Sequence, residues 1–142
     1  MNFPDNGIKG IPNKEFVIDE STVGSHLFHF KQTRDDGFIE QSINWEDNEI
    51  VIDFTLNQKR ENGNLQFSAG VAVLPRSEID RLNRRPAIRG LLSYERSPLN
   101  DNPYHGNLLL QATVPKAKMR QIAAGLALAV SKIIPQTPEN TT

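Results

Sequence analysis

At 142 residues, 37% hydrophobic and 23% charged, the chain is long enough to bury a core as one domain, too apolar for a disordered polymer and too polar for a membrane protein. It has no cysteine, which excludes disulfides, thiolate nucleophiles and cysteine zinc sites together. The net charge of −1 hides an asymmetry: residues 1–75 hold 12 acids and 6 bases, residues 76–142 hold 5 acids and 10 bases.

The first residues, MNFPDNGIKGIPN, lack the basic stretch and apolar run of a secretory signal. No segment approaches the ~18 apolar residues of a membrane span, so a soluble cytoplasmic protein is expected. Residues 1–14, with two prolines and two glycines, read as a flexible N-terminal arm. A single α+β domain is expected over residues 15–134, and the polar residues 135–142 read as a disordered tail.

Residues 15–19 suggest a short edge strand. Two hairpins follow, because Asp36-Gly37 and Asn62-Gly63 are both signals for a two-residue type I′ loop. Around the first loop Phe28 would face Trp45, Phe30 would face Ile43, and Arg34 would face Ile39. Around the second, Ile52 would face Val73, Phe54 would face Val71, and Leu56 would face Ala69. The apolar pairs then share one face of a four-stranded meander over residues 26–75, as period-2 alternation requires. The expected core face is Phe28, Phe30, Ile43, Trp45, Ile52, Phe54, Leu56, Val71 and Val73.

Ser77 starts a relaxed capping box (Ser-Glu-Ile-Asp), which predicts a short helix over residues 77–83. Residues 91–96 and 104–112 read as two more strands, joined by the turn-rich loop 97–103. Met119, Ile122, Ala123, Leu126, Val130 and Ile133 recur at helical spacing. They predict a long C-terminal helix with Thr113 as N-cap, Pro115 in the first turn and Pro135 at its end. The fold expected is therefore an antiparallel sheet of about six strands, with the long helix packed on one face and a short helix inserted.

For function, the clearest signal is arginine. Arg76, Arg81, Arg84, Arg85, Arg89 and Arg96 are six of nine arginines, within 21 residues. Such a cluster suits carboxylates or phosphates. With the small-residue face of the last helix (Ala117, Ala124, Gly125, Ala127, Ala129), it favours a non-enzymatic adaptor. That adaptor would bind a protein partner or a second copy through Arg81, Arg84, Arg85, Arg89 and Arg96. Nucleic-acid binding is a weaker alternative, since the protein is slightly acidic overall.

The enzymatic alternative is a toxin-like hydrolase or transferase centred on His105, with Tyr104 and Asn107, where a polar loop enters an apolar strand. It predicts that His105 and at least two of the arginines line one concave pocket, with an arginine as oxyanion or phosphate clamp. His26 and His29 would share a strand and face opposite ways. With no nucleotide-binding glycine loop and no serine elbow, no cofactor and no metal is expected. The acids Glu46, Asp47, Glu49 and Asp53 have no known ligand spacing.

Overall fold

The computed structural model describes residues 3–46 and 48–137. Met1, Asn2, Asp47 and residues 138–142 lie outside the described residues, and with them most of the expected tail. The architecture is α+β, with every strand pair antiparallel. No helix among the described residues is long and apolar enough to cross a membrane.

Strand β1 (Asn6–Ile11) occupies the middle of the sheet, so this part of segment 1–14 is structural rather than a flexible arm. Its glycines serve close approach. A Cβ on Gly7 would strike Ile43 and Trp45, and one on Gly10 would strike the Phe67 ring. Residues 15–19 divide between a 3-10 turn (Lys14–Phe16) and β2 (Val17–Asp19), which pairs with β3 (Thr22–Val23) in a small separate sheet.

The first hairpin joins β4 (Gln32–Thr33) to β5 (Phe38–Trp45), with Thr33 opposite Ile39. This register is one residue from the expected one. Gly37 alone takes a positive φ (86°), so the loop is the three residues 35–37, closed by the Arg34 N–H donating to the Phe38 carbonyl at 2.8 Å. The second glycine behaves alike. Gly63 has φ 87°, the loop is 61–63, and Lys59 bridges Leu65. Phe28 does not pair with Trp45, because Ser25–Phe28 is a 3-10 turn.

The long second hairpin does not form. Residues Glu49–Leu56 are helix α1 instead, N-capped by the Asn48 side chain, which accepts from the Val51 N–H at 3.1 Å. Val51, Thr55 and Leu56 are buried at spacings of four and one, the pattern of a helix edge rather than a strand. Ile50, which a strand would have aligned with Ile52 and Phe54, is 68% exposed.

Strand β6 (Gly70–Pro75) leads directly into α2 (Arg76–Asn83), as expected, although Pro75 rather than Ser77 is the N-cap. Strands β7 (Leu92–Arg96) and β8 (His105–Gln111) follow. Helix α3 (Lys116–Ala129) starts after Pro115, not at Thr113. It stops before Val130, and Lys132–Ile134 turn back as β9, an edge strand on β6. The sheet order is β7-β8-β5-β1-β6-β9, with β4 adding to the β5 edge.

Both faces are covered. On one, α2, α3 and the Ser25–Phe28 turn bury Phe28, Phe30, Ile43, Trp45, Ala72 and Leu74. On the other, α1 covers only the half formed by β1 and β6, burying Ile8, Leu56, Val71 and Val73, with Ile52 partly buried. Phe54 is half-buried and meets Tyr104 edge-on, ring centroids 5.3 Å apart.

Trp45 has no exposed surface, and its indole Nε1 donates to the Glu95 carbonyl at 2.9 Å. A Cβ on Gly106 would collide with the Glu95 carbonyl oxygen and the indole ring together. Gly106→Ala should therefore cost about 3 kcal/mol, the upper end for overpacking a core. Urea unfolding should show a lower midpoint with an unchanged slope.

Candidate functional site

The six clustered arginines divide between structural and free roles. Arg76 is tied to the N-terminus and to α2: its Nε donates to the Pro4 carbonyl at 2.9 Å, and it faces Asp5 and Asp80. Arg96 pairs with Glu46 at 3.1 Å and lies over the Phe3 ring. Arg81 is exposed, 3.9 Å from Glu78. Arg84, Arg85 and Arg89 are exposed, with no side-chain partner among the described residues.

These three sit on a run of tight turns after α2. The run is pinned by fully buried Ile88 and by Lys118, whose Nζ donates to the Ala87 carbonyl at 2.9 Å. Helix α2 runs beside β7, with Asp80 bonded to Tyr94 and Asn83 to the Leu92 N–H. That places Arg84, Arg85 and Arg89 at one end of β7 and Arg96 at the other. Part of the small face of α3 is used internally, because a Cβ on Gly125 would press on the Leu82 side chain of α2 and Ala127 is buried, whereas Ala117 is exposed.

His105 lines a concave pocket of about 240 Å³ on the half-covered face, but no arginine does. The wall is mixed: Ile8, Ile43, Phe67 and Leu99 stand between its polar part, which is Ser42 and Asn44 from β5, Thr55 and Gln58 from α1 and its exit, and Asp101 and Asn102 from the loop. Alternation along β5 explains this. Ile43 and Trp45 go to the main core, so Ser42 and Asn44 go to the opposite face.

A saturated amide network forms the floor. Asn44 Nδ2 donates to Thr55 Oγ1 at 2.8 Å and to Gln58 Oε1 at 3.0 Å, while Asn44 Oδ1 accepts from Asn102 Nδ2 at 2.9 Å. Asn102 Oδ1 accepts from the Tyr104 N–H, which orients the chain entering β8. Because Gln58 Oε1 is engaged by Asn44, its Nε2 is the end left with donors to offer, and it has no acceptor among the described residues; Gln58 lines the pocket.

His105 Nδ1 is 2.9 Å from the Ser97 carbonyl and Nε2 is 3.3 Å from Ser42 Oγ. A carbonyl can only accept, so Nδ1 carries a proton, and Nε2 faces the Ser42 hydroxyl. The result is a hydroxyl, a base and a group orienting the base, in series.

Tyr104 and Asn107 lie elsewhere. Tyr104 packs against α1, and its carbonyl accepts from the Trp45 N–H. Asn107, buried, donates to Glu95 Oε2 at 2.9 Å, and Arg34 donates to the same oxygen at 2.8 Å. Burial pushes the Glu95 carboxyl up, but the Asn107 amide and the Arg34 guanidinium outweigh it and hold the group below its ordinary value.

His26 and His29 do not face opposite ways: the 3-10 turn brings both to the same cavities beside α3 and β1. Among the described residues no cluster of three His, Asp or Glu could hold a metal ion.

Ser42, Asn44, Gln58 and Asn102 have no motif in the sequence. The one local signal is the alternation of Ser42 and Asn44 with Ile43 and Trp45, a polar stripe on a strand whose other side is core. No protein-family model matches the chain, and neither a curated protein nor a solved structure does.

The Glu95 carboxyl supplies a pH test. Its folded value is depressed, so its contribution to stability is complete above the ordinary glutamate pKa of about 4.3 and is lost as pH falls through the lower folded value. Glu95→Gln should be less stable than the native chain at pH 7, and the difference should shrink in denaturation curves taken between pH 5 and 2.

Proposed function

We propose that this protein is a hydrolase that uses Ser42 as nucleophile and His105 as general base on a small polar ester or amide. The observation that carries the reading is the hydrogen-bonded series Ser97 carbonyl, His105 and Ser42 at the mouth of the pocket. Ser42 Oγ bonds to the acyl carbon as its proton passes to His105 Nε2. The imidazolium returns that proton to the leaving group as the acyl–leaving-group bond breaks. A water, deprotonated by the same nitrogen, then hydrolyses the acyl-serine and frees Ser42. Gln58 Nε2 is the donor available to the developing oxyanion. A carbonyl dipole rather than a carboxylate supports the imidazolium, which implies a slower base than in a triad with aspartate.

A fluorophosphonate probe should add one phosphonyl mass to the folded protein, on the peptide carrying Ser42. Ser42→Ala should abolish the adduct. His105→Gln should slow labelling by about 10²-fold or more, the usual worth of a general base. Labelling at equal rates with and without His105, in proteins of equal circular dichroism, would falsify the assignment.

A second reading rests on a different surface. Arg84, Arg85 and Arg89 stand uncompensated on a rigid turn with Arg81 and Lys118 beside them, which suits an adaptor holding an acidic protein segment. Arg84→Glu with Arg85→Glu should abolish retention on immobilised poly-glutamate at low salt. Both positions are exposed, so stability should change by no more than about 1 kcal/mol. Unchanged retention removes this reading.

A further inference from the structure

The first turns of α3 carry charge of the wrong sign for their place. Lys116 is the first residue of the helix, and Arg120 follows one turn on, along the same side. The positive end of the helix dipole disfavours a cation there, and no acid stands in the first turn to offset it. Both side chains are exposed, and neither has an acidic partner among the described residues.

Both line a cavity of about 440 Å³ between α3, the Ser25–Phe28 turn and the start of β5. Its floor is apolar. Phe30, Ile39 and Ala123 keep 4%, 7% and 6% of their surface exposed, and half-buried Met119 keeps more. The methylene stems of Lys116 and Arg120 extend the apolar wall toward their charged ends. His26, stacked on Phe16 with ring centroids 4.4 Å apart, and exposed His29 complete the rim. No aspartate or glutamate among the described residues lines the cavity. An apolar hollow rimmed by unpaired cations is complementary to an anion with an apolar body. The hollow has the size of a small-molecule site and offers far less than the ~800 Å² each partner buries in a stable protein complex.

We propose that this cavity binds a free medium-chain fatty acid. The Arg120 guanidinium donates to both carboxylate oxygens, and Lys116 adds a second positive charge beside them. The floor is aliphatic apart from Phe30, which suits an alkyl tail, and the flexible Met119 thioether adapts to its length. The site shares no lining residue with the Ser42–His105 pocket and lies on the opposite face of the sheet, so it does not rest on the hydrolase reading.

Isothermal titration of the full chain with octanoate below its micellar concentration tests it. The controls are 1-octanol, which has the tail without the charge, and octyltrimethylammonium, which has the opposite charge. Saturable octanoate binding at least tenfold tighter than either control is expected at pH 7. Affinity should rise about fourfold per added methylene from hexanoate to decanoate, the worth of one buried CH₂. Arg120→Met and Lys116→Met, both at exposed positions, should fold as the native chain does and each weaken octanoate several-fold. The double variant should bind octanoate no better than 1-octanol. No saturation by octanoate, equal affinity for 1-octanol, a flat chain-length series, or an unchanged constant in Arg120→Met each overturns the proposal.

Discussion

The packing of the Trp45 indole is the constraint on which the rest of the sheet depends. Its ring sits edge-on to Phe3, with centroids 4.8 Å apart, and beside Tyr94 at 5.2 Å. An indole laid over the face of neighbouring strands packs closely only where the positions beneath it have no side chain. Gly7 on β1 and Gly106 on β8 provide that space, one on each flanking strand. The backbone N–H of the same residue holds the Tyr104 carbonyl, and the indole N–H holds β7 through Glu95. One side chain thus joins β1, β5, β7 and β8, and the positions next to it, Asn44 and His105, inherit their placement.

On the other face, the energetic problem is the reverse. Buried amides are costly unless each donor and acceptor is matched. Asn44 meets that condition with two donations and one acceptance, and through Asn102 it clamps the loop 99–104 onto the sheet. That saturation gives the pocket a rigid floor, so the groups above it, exposed Ser42 and half-buried His105, are held by backbone and amide geometry rather than by long flexible side chains. Gln41, one residue along β5 from Ser42, shows the opposite condition, with one oxygen left over among the described residues.

Elements defined by local rules were legible in the chain. Strands β7 and β8, helix α2 and the buried face of α3 (Ile122, Ala123, Leu126) match their patterns, because each is bounded by proline or turn residues and has one buried face. The failures have physical causes. Ile50, Ile52, Phe54 and Leu56 alternate as a strand would, but the Asn48 cap and the burial of Val51 and Thr55 favour a helix. The two Gly turns were placed correctly but read one residue short, since Asp36 and Asn62 avoid positive φ and leave it to glycine. Gly7 and Gly10 resembled flexible punctuation. Their need came from Ile43, Trp45 and Phe67, far along the chain. Likewise His105 stood out locally, whereas its partner Ser42 is joined to it only by the pairing of β5 with β8.

The central position of β1 has a kinetic consequence. The first strand of the chain pairs with residues 44–45 of β5 and with all of β6, so its hydrogen bonds wait for distant segments. Strand β5 in turn waits for β8, and β6 for β9. A sheet assembled from such separated pairings has a high contact order and closes slowly, because loop entropy is lost before the contacts are gained. During synthesis, the edges of β1 are bonded to water alone until β5 and then β6 follow. Lys9, projecting from that strand, and the glycines beside it give this early segment a weak intrinsic tendency to pair with anything else.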